Sequence, residues 1–270
     1  MHSIRPPAVA GRFYPADPAE LKADLTAYLS QSNAARTPTR ACIVPHAGYM
    51  YSGHVAGAVF SRLQIPNTTI ILCPNHTGVG HPLAIMSEGA WRTPLGKIPI
   101  DASLANSLKQ NFPALTEDST AHRAEHAIEV ELPFLQFLQP GLTFVPIAVG
   151  TRNFDILEQL GQAIAATIAA HAEPVLLISS SDMNHYESDV ITRGKDIQAI
   201  ERILQLDPRG LYDTVMQQQI SMCGLSPTVV TLVAASALGA TTADLIKYAT
   251  SGDISGDRDR VVGYAGIVVP

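Results

Sequence analysis

The chain has 270 residues, of which 46% are hydrophobic and 16% charged, and a formal net charge of -6. That is ample apolar material for a buried sheet covered by helices in one domain over 1–270, and the lack of any basic block argues against a nucleic-acid partner, whose phosphates demand clustered Lys and Arg. No run reaches the eighteen or so apolar residues of a membrane span, residues 1–12 lack the apolar core of a secretory signal, and Cys42, Cys73 and Cys223 make no disulfide framework, so a cytoplasmic setting with reduced thiols is expected.

An extended opening leads to Asp17, which can cap a helix with Leu21, Leu25, Tyr28 and Leu29 on one face. A polar linker follows at 32–40. Short apolar runs bounded by loops then recur at 41–44, 69–73, 143–149 and 175–179, the pattern of buried, largely parallel strands. Helical periodicity fills the gaps at 52–63, 102–111, 125–138, 154–170, 189–206, 208–218 and 227–238. The segment 91–96 reads as a turn with Trp91 as an aromatic lid, and 261–269 reads as a final strand set off by the loop 251–260. Alternating strands and helices predict a three-layer α/β/α domain around a largely parallel or mixed sheet, with right-handed crossovers.

In open α/β sheets, ligands collect beyond the carboxyl ends of the strands. Three apolar runs end in histidine-bearing turns: Pro45-His46-Ala47-Gly48-Tyr49, Pro74-Asn75-His76, and Ser180-Ser181-Asp182-Met183-Asn184-His185-Tyr186. Two imidazoles, His46 and His76, with one anionic ligand would hold a divalent ion while leaving coordination positions open. Cys223, in a loop before Gly224, supplies that anion as a thiolate or is a buried structural thiol; the pattern admits both readings. Asp182 and His185, three apart, can face one side and share a proton, or Asp182 is simply a helix cap. Glu125 and Glu129 stack at i,i+4 spacing in the first turn of the expected 125–138 helix, as do His122 and His126. They are dipole partners there, or orient a metal-bound histidine from behind. Tyr49, Tyr51 and Tyr186 adjoin the same region, whereas His2, His54, His81 and His171 read as ordinary surface or loop residues.

The ordered set Arg5-Pro6-Pro7-Ala8-Val9-Ala10-Gly11, Pro45-His46-Ala47-Gly48-Tyr49, Pro74-Asn75-His76, Thr93-Pro94-Leu95-Gly96, Glu125-His126-Ala127-Ile128-Glu129, Ser180-Ser181-Asp182 with His185-Tyr186, and Cys223-Gly224 resembles the Memo family over nearly the whole chain. The resemblance implies a fold similar to class III extradiol dioxygenases, with a mononuclear non-haem iron site. His46, His76 and Cys223 match its metal-binding positions, and Asp182 and His185 the remaining site positions. A soft thiolate in place of a carboxylate suits iron, copper or zinc. The function then expected is a redox, dioxygenase-like enzyme acting on a small molecule. The alternatives are a metal- or peptide-binding module without turnover and a metal-dependent hydrolase. The resemblance also implies radical-SAM and AMMECR-type proteins as partners.

Overall fold

Apolar residues on both faces of successive strands force the central sheet between two helical layers. The computed structural model describes residues 3–30 and 35–270; His2 and residues 32–34 of the expected linker lie outside them. The first elements are β1 (Ile4–Arg5), α1 (Pro18–Leu29), β2 (Ala41–Val44), α2 (Tyr49–Phe60), β3 (Thr68–Pro74), β4 (Leu83–Ile85), β5 (Ala90–Thr93) and β6 (Gly96–Pro99). Then come α3 (Ala102–Asn111), β7 (Thr116–Glu117), α4 (Thr120–Arg123), α5 (Leu132–Leu138), β8 (Thr143–Val149), α6 (Phe154–Ala170) and β9 (Val175–Ser180). The last are β10 (His185–Glu187), α7 (Asp189–Leu204), α8 (Pro208–Gln217), α9 (Leu225–Ala237), β11 (Asp244–Thr250), α10 (Gly252–Ser255) and β12 (Val261–Val269).

The main sheet runs β10-β12-β2-β9-β3-β8-β4-β7, with β11 also paired to β12. Its centre, β2-β9-β3-β8, is parallel, while β12 and β4 join antiparallel on either side, so the sheet is mixed. Side-chain alternation divides the core. Ala41, Ile43, Ile70 and Leu72 pack toward α6, α7 and α9, and Cys42, Val44, Ile71 and Cys73 toward α1, α2 and α5. Each fully buried Leu or Ile contributes about 1.5–3 kcal/mol. Cys42 and Cys73 act here as small core hydrophobes, and all three cysteines are free thiols. Helix α1 starts where expected, because the Asp17 carboxylate accepts from Ala19 N at 2.8 Å and Glu20 N at 3.0 Å ahead of a buried Leu21, Leu25 and Leu29 stripe. Among the described residues no helix is long and apolar enough to cross a membrane.

Several elements differ from the sequence reading. The helix expected at 125–138 forms only over Leu132–Leu138. Pro133, which has no N–H to give, suits a first helical turn, and upstream the Glu125 carboxylate captures His126 N and Ala127 N, holding an irregular loop instead. Glu125 and Glu129 therefore do not stack, and His122 and His126 part company. His122 is buried against Trp91, with ring centroids 5.7 Å apart. Trp91 is not a lid. It lies fully buried in β5, opposite β6 in a small second sheet with β1, beneath the Arg5 guanidinium at 4.0 Å. His54 is half-buried in α2, with both ring nitrogens shut off from water.

Two buried carboxyl groups position the loops that matter. Glu129 accepts from Arg5 Nη1 at 2.7 Å, Ala8 N at 2.7 Å, Val9 N at 2.9 Å and Tyr14 Oη at 2.7 Å. Arg5 also donates through Nε to His122 O at 2.7 Å and through Nη2 to Glu125 O at 2.6 Å, which clamps the 122–129 loop to the N-terminal segment. Asp196, on α7, accepts from Asn184 N at 2.8 Å and Tyr248 Oη at 2.7 Å and so anchors the 181–185 loop. A side chain at Gly263 would collide with that carboxyl, so only glycine fits under it.

Arg5→Met, similar in length, is expected to cost about 3–5 kcal/mol in urea unfolding, because it strands the Glu129 carboxylate without its cation; a loss below about 1 kcal/mol would show the pair to be dispensable. Burial pushes the Asp196 carboxyl from its ordinary 3.8 up to about 7, against the opposing hydrogen bonds from Tyr248 and Asn184. The folded chain then holds a proton that the unfolded chain releases, so this contribution to stability is complete below the unfolded value and is lost as pH rises toward 7. Asp196→Asn is expected to remove that decline, read as a flatter urea midpoint between pH 4 and 7 than wild type; parallel profiles would contradict it.

Candidate metal centre

The parallel register brings three strand exits to one edge. Val44 of β2 pairs with Ser180 of β9, and Leu72 of β3 with Ser179, so the turns bearing His46, Asp182 and His76 leave the sheet at one level. Cys223 arrives from the opposite layer, immediately before α9. Gly224 makes the approach possible, since a Cβ there would overlap the Ser181 side chain, and its N–H donates to Ser181 Oγ at 3.1 Å.

One imidazole nitrogen of each strand-end histidine is taken from behind. His76 Nδ1 donates to Glu125 Oε1 at 2.9 Å, and His76 N to Glu125 Oε2 at 2.7 Å. His46 Nδ1 lies 2.8 Å from Ser180 Oγ, which also meets Ala127 O at 2.7 Å and Glu131 Oε1 at 2.9 Å. Each ring thus keeps Nε2. Cys223 Sγ sits 3.2 Å from His46 Nε2 and accepts from Asp182 N at 3.3 Å. One donor atom from each of His46, His76 and Cys223 falls within a 4.8 Å envelope. The Asp182 carboxyl group accepts His46 N at 2.8 Å.

Burial decides the charges. It drives the His46 imidazole well below its ordinary value, with the neighbouring histidines adding to the effect. Desolvation also lowers His76, but the hydrogen bond and charge of Glu125 outweigh it and raise that ring on balance. Burial pushes the Cys223 thiol well up, helped by Asp182, and pushes the Asp182 carboxyl up to about 7. A neutral imidazole beside a protonated thiol is a pair that can release one proton to become an N,S donor set.

The cleft in front of these groups has a volume of about 560 Å³, and its walls include His46, His76, His126, Asp182, His185 and Cys223. His185 donates from Nδ1 to Ser221 O at 2.9 Å, which leaves its Nε2 an acceptor, and burial lowers its pKa. No hydrogen bond joins Asp182 to His185 among the described residues, and the chain between them is irregular rather than helical. His126 stacks on His76 with centroids 4.8 Å apart, closer to the donors than a place in the background would require. Tyr186 stands at the rim, 65% exposed, with a left-handed φ of 62°.

Two of the expected pocket residues are elsewhere. Glu129 is bound to Arg5, and Tyr49 is buried beneath the site, where its hydroxyl donates to Val130 O at 2.7 Å. The sequence reading assigned no role to Ser180, Glu131, Ser221, Phe13 and Tyr264. The run Ser180-Ser181-Asp182 at a strand's carboxyl end was the signal available for Ser180. The donor chemistry fits a transition ion: two imidazoles with their remote nitrogens engaged and one thiol are the borderline and soft ligands that iron, copper and zinc accept.

A family model described as Memo-like protein matches residues 5–268. A MEMO1 family protein of Methanopyrus kandleri is 42% identical over 277 residues, covering 98% of this chain and 98% of the relative. Another, from Methanothermobacter thermautotrophicus, is 39% identical over 273 residues, covering 97% and 99%. A crystal structure described as an uncharacterized protein from Escherichia coli K12 shares the fold, with a TM-score of 0.57 at 12% identity over 84% of this chain and 99% of that one. From the extent of the family match and the identity to these relatives, the chain belongs to the Memo-like family.

Proposed function

We propose that the cleft is a mononuclear non-haem iron site of a redox enzyme acting on a small molecule. The convergence of His46 Nε2, His76 and Cys223 within 4.8 Å, with the remote nitrogens already engaged by Ser180 and Glu125, carries this reading. Bound there, Fe(II) would supply redox chemistry and open coordination positions for a substrate; copper and zinc suit the same donors.

The chain's own residues account for the rest. Glu125, an anion, fixes the His76 ring and strengthens it as a ligand. Asp182 N–H and its carboxylate tie the Cys223 sulfur to the His46 turn, so the two ligands move as a unit. His185, with its lone pair on Nε2, takes a proton from a bound substrate. Asp182 acts separately from it. Phe13, Val262 and Tyr264, which also line the cleft, offer an apolar surface to the body of a small ligand. A cytoplasmic setting would keep the Cys223 thiol reduced.

Anaerobic titration with Co(II), an optical stand-in for Fe(II), is expected to show one ion per chain and a thiolate charge-transfer band. Cys223→Ser should abolish the band and weaken binding beyond the roughly 10–100-fold that loss of a ligand's hydrogen-bonding partner costs. His185→Ala should leave both intact. Failure of wild type to bind Co(II), Fe(II) or Zn(II) in solution would overturn the metal site.

A further inference from the structure

The hydrogen bonds around Ser180 admit only one arrangement of protons that satisfies every partner. The Ser180 hydroxyl is fully buried and has three neighbours: Ala127 O at 2.7 Å, His46 Nδ1 at 2.8 Å and Glu131 Oε1 at 2.9 Å. A hydroxyl donates once and accepts twice. Ala127 O is a carbonyl and only accepts, so the single Ser180 proton belongs to it. The other two neighbours must then donate. We propose that Glu131 is a neutral carboxylic acid at neutral pH and that, through Ser180, it holds His46 as the Nδ1–H tautomer, with the Nε2 lone pair aimed at the cleft. Glu131 is thereby a positioning residue for a group it does not touch.

The alternative arrangement is worse on two counts. With Glu131 ionised, the Ser180 proton would turn to it and leave the Ala127 carbonyl facing a hydroxyl lone pair at 2.7 Å. The carboxylate would also be 1% exposed, and among the described residues no arginine or lysine pairs with it; burying an unpaired anion is strongly unfavourable. Burial pushes the Glu131 carboxyl well above the usual range and Asp182 adds to the rise, against the hydrogen bond from Ser180. Glu125 makes the contrast. It accepts from three backbone N–H groups and the His76 ring, and those donors hold it ionised. The two histidines are therefore anchored by opposite chemistry, His76 by an anion and His46 by a neutral hydroxyl with an acid behind it. The consequence for metal binding rests on the reading above; the proton positions do not.

The test uses the full chain, freed of metal by chelator. At pH 7 the infrared difference between wild type and Glu131→Gln is expected to show a protonated-carboxyl C=O stretch lost in the variant. Imidazole nitrogen-15 spectra are expected to show His46 protonated on Nδ1 in both proteins, since a glutamine amide also donates to Ser180 Oγ. Ser180→Ala should abolish the single tautomer and weaken Co(II) about 10–100-fold, whereas Glu131→Gln stays close to wild type. Loss of an ionised-carboxylate band instead, an Nε2–H His46 in wild type, or a Glu131→Gln variant that weakens Co(II) as Ser180→Ala does would each overturn the proposal. If wild type binds no metal, the metal reading fails, and the infrared and nitrogen-15 spectra still decide this one.

Discussion

A single buried guanidinium holds together the irregular loop that stands behind the cleft. Between α4 and α5 the chain runs through a loop at 124–131 whose backbone carbonyls and carboxylates are largely shut off from water. Buried irregular backbone must find partners outside itself. Arg5 supplies them, reaching two carbonyls and the Glu129 carboxylate from three different nitrogens. The desolvation of such a pair is costly, and it is offset here because Glu129 also takes two backbone N–H groups and the Tyr14 hydroxyl. A lysine, with one nitrogen, could not reach all three positions.

The division of labour in the site follows. The sheet and the start of α9 deliver the donors His46, His76 and Cys223, while the clamped loop delivers what stands behind them: the Glu125 carboxylate, the Ala127 carbonyl and the Glu131 carboxyl. Strands fix where a side chain begins, and the loop fixes how its ring is turned. Asp196 does the same for the His185 side of the cleft by holding Asn184.

The strand-end histidines were legible in the sequence because apolar runs, parallel pairing and ligand position are linked by geometry. The final strand was legible too, down to its limits at 261 and 269. What escaped was set by long-range contact. The spacing at 125–138 has helical period, yet carboxylate capture of N–H groups and Pro133 shorten the helix to its second half. Trp91 lies in a motif that looks like a rim, and its burial comes from partners remote in sequence, Arg5, His122 and Phe144. The i,i+3 argument for Asp182 and His185 presumes helical backbone, which that segment lacks. Ser180 and Glu131 meet across 49 positions, a relation invisible to local pattern.

The span of these contacts governs when the cleft can exist at all. Arg5 and Glu129 are 124 positions apart, and His46 and Cys223 are 177 apart. During synthesis the opening segment must wait for nearly half the chain before its clamp partner emerges, and the two imidazoles wait for most of it before the sulfur appears. Closing such long loops carries an entropic cost before any contact repays it. Assembly of the cleft is thus a late event in folding.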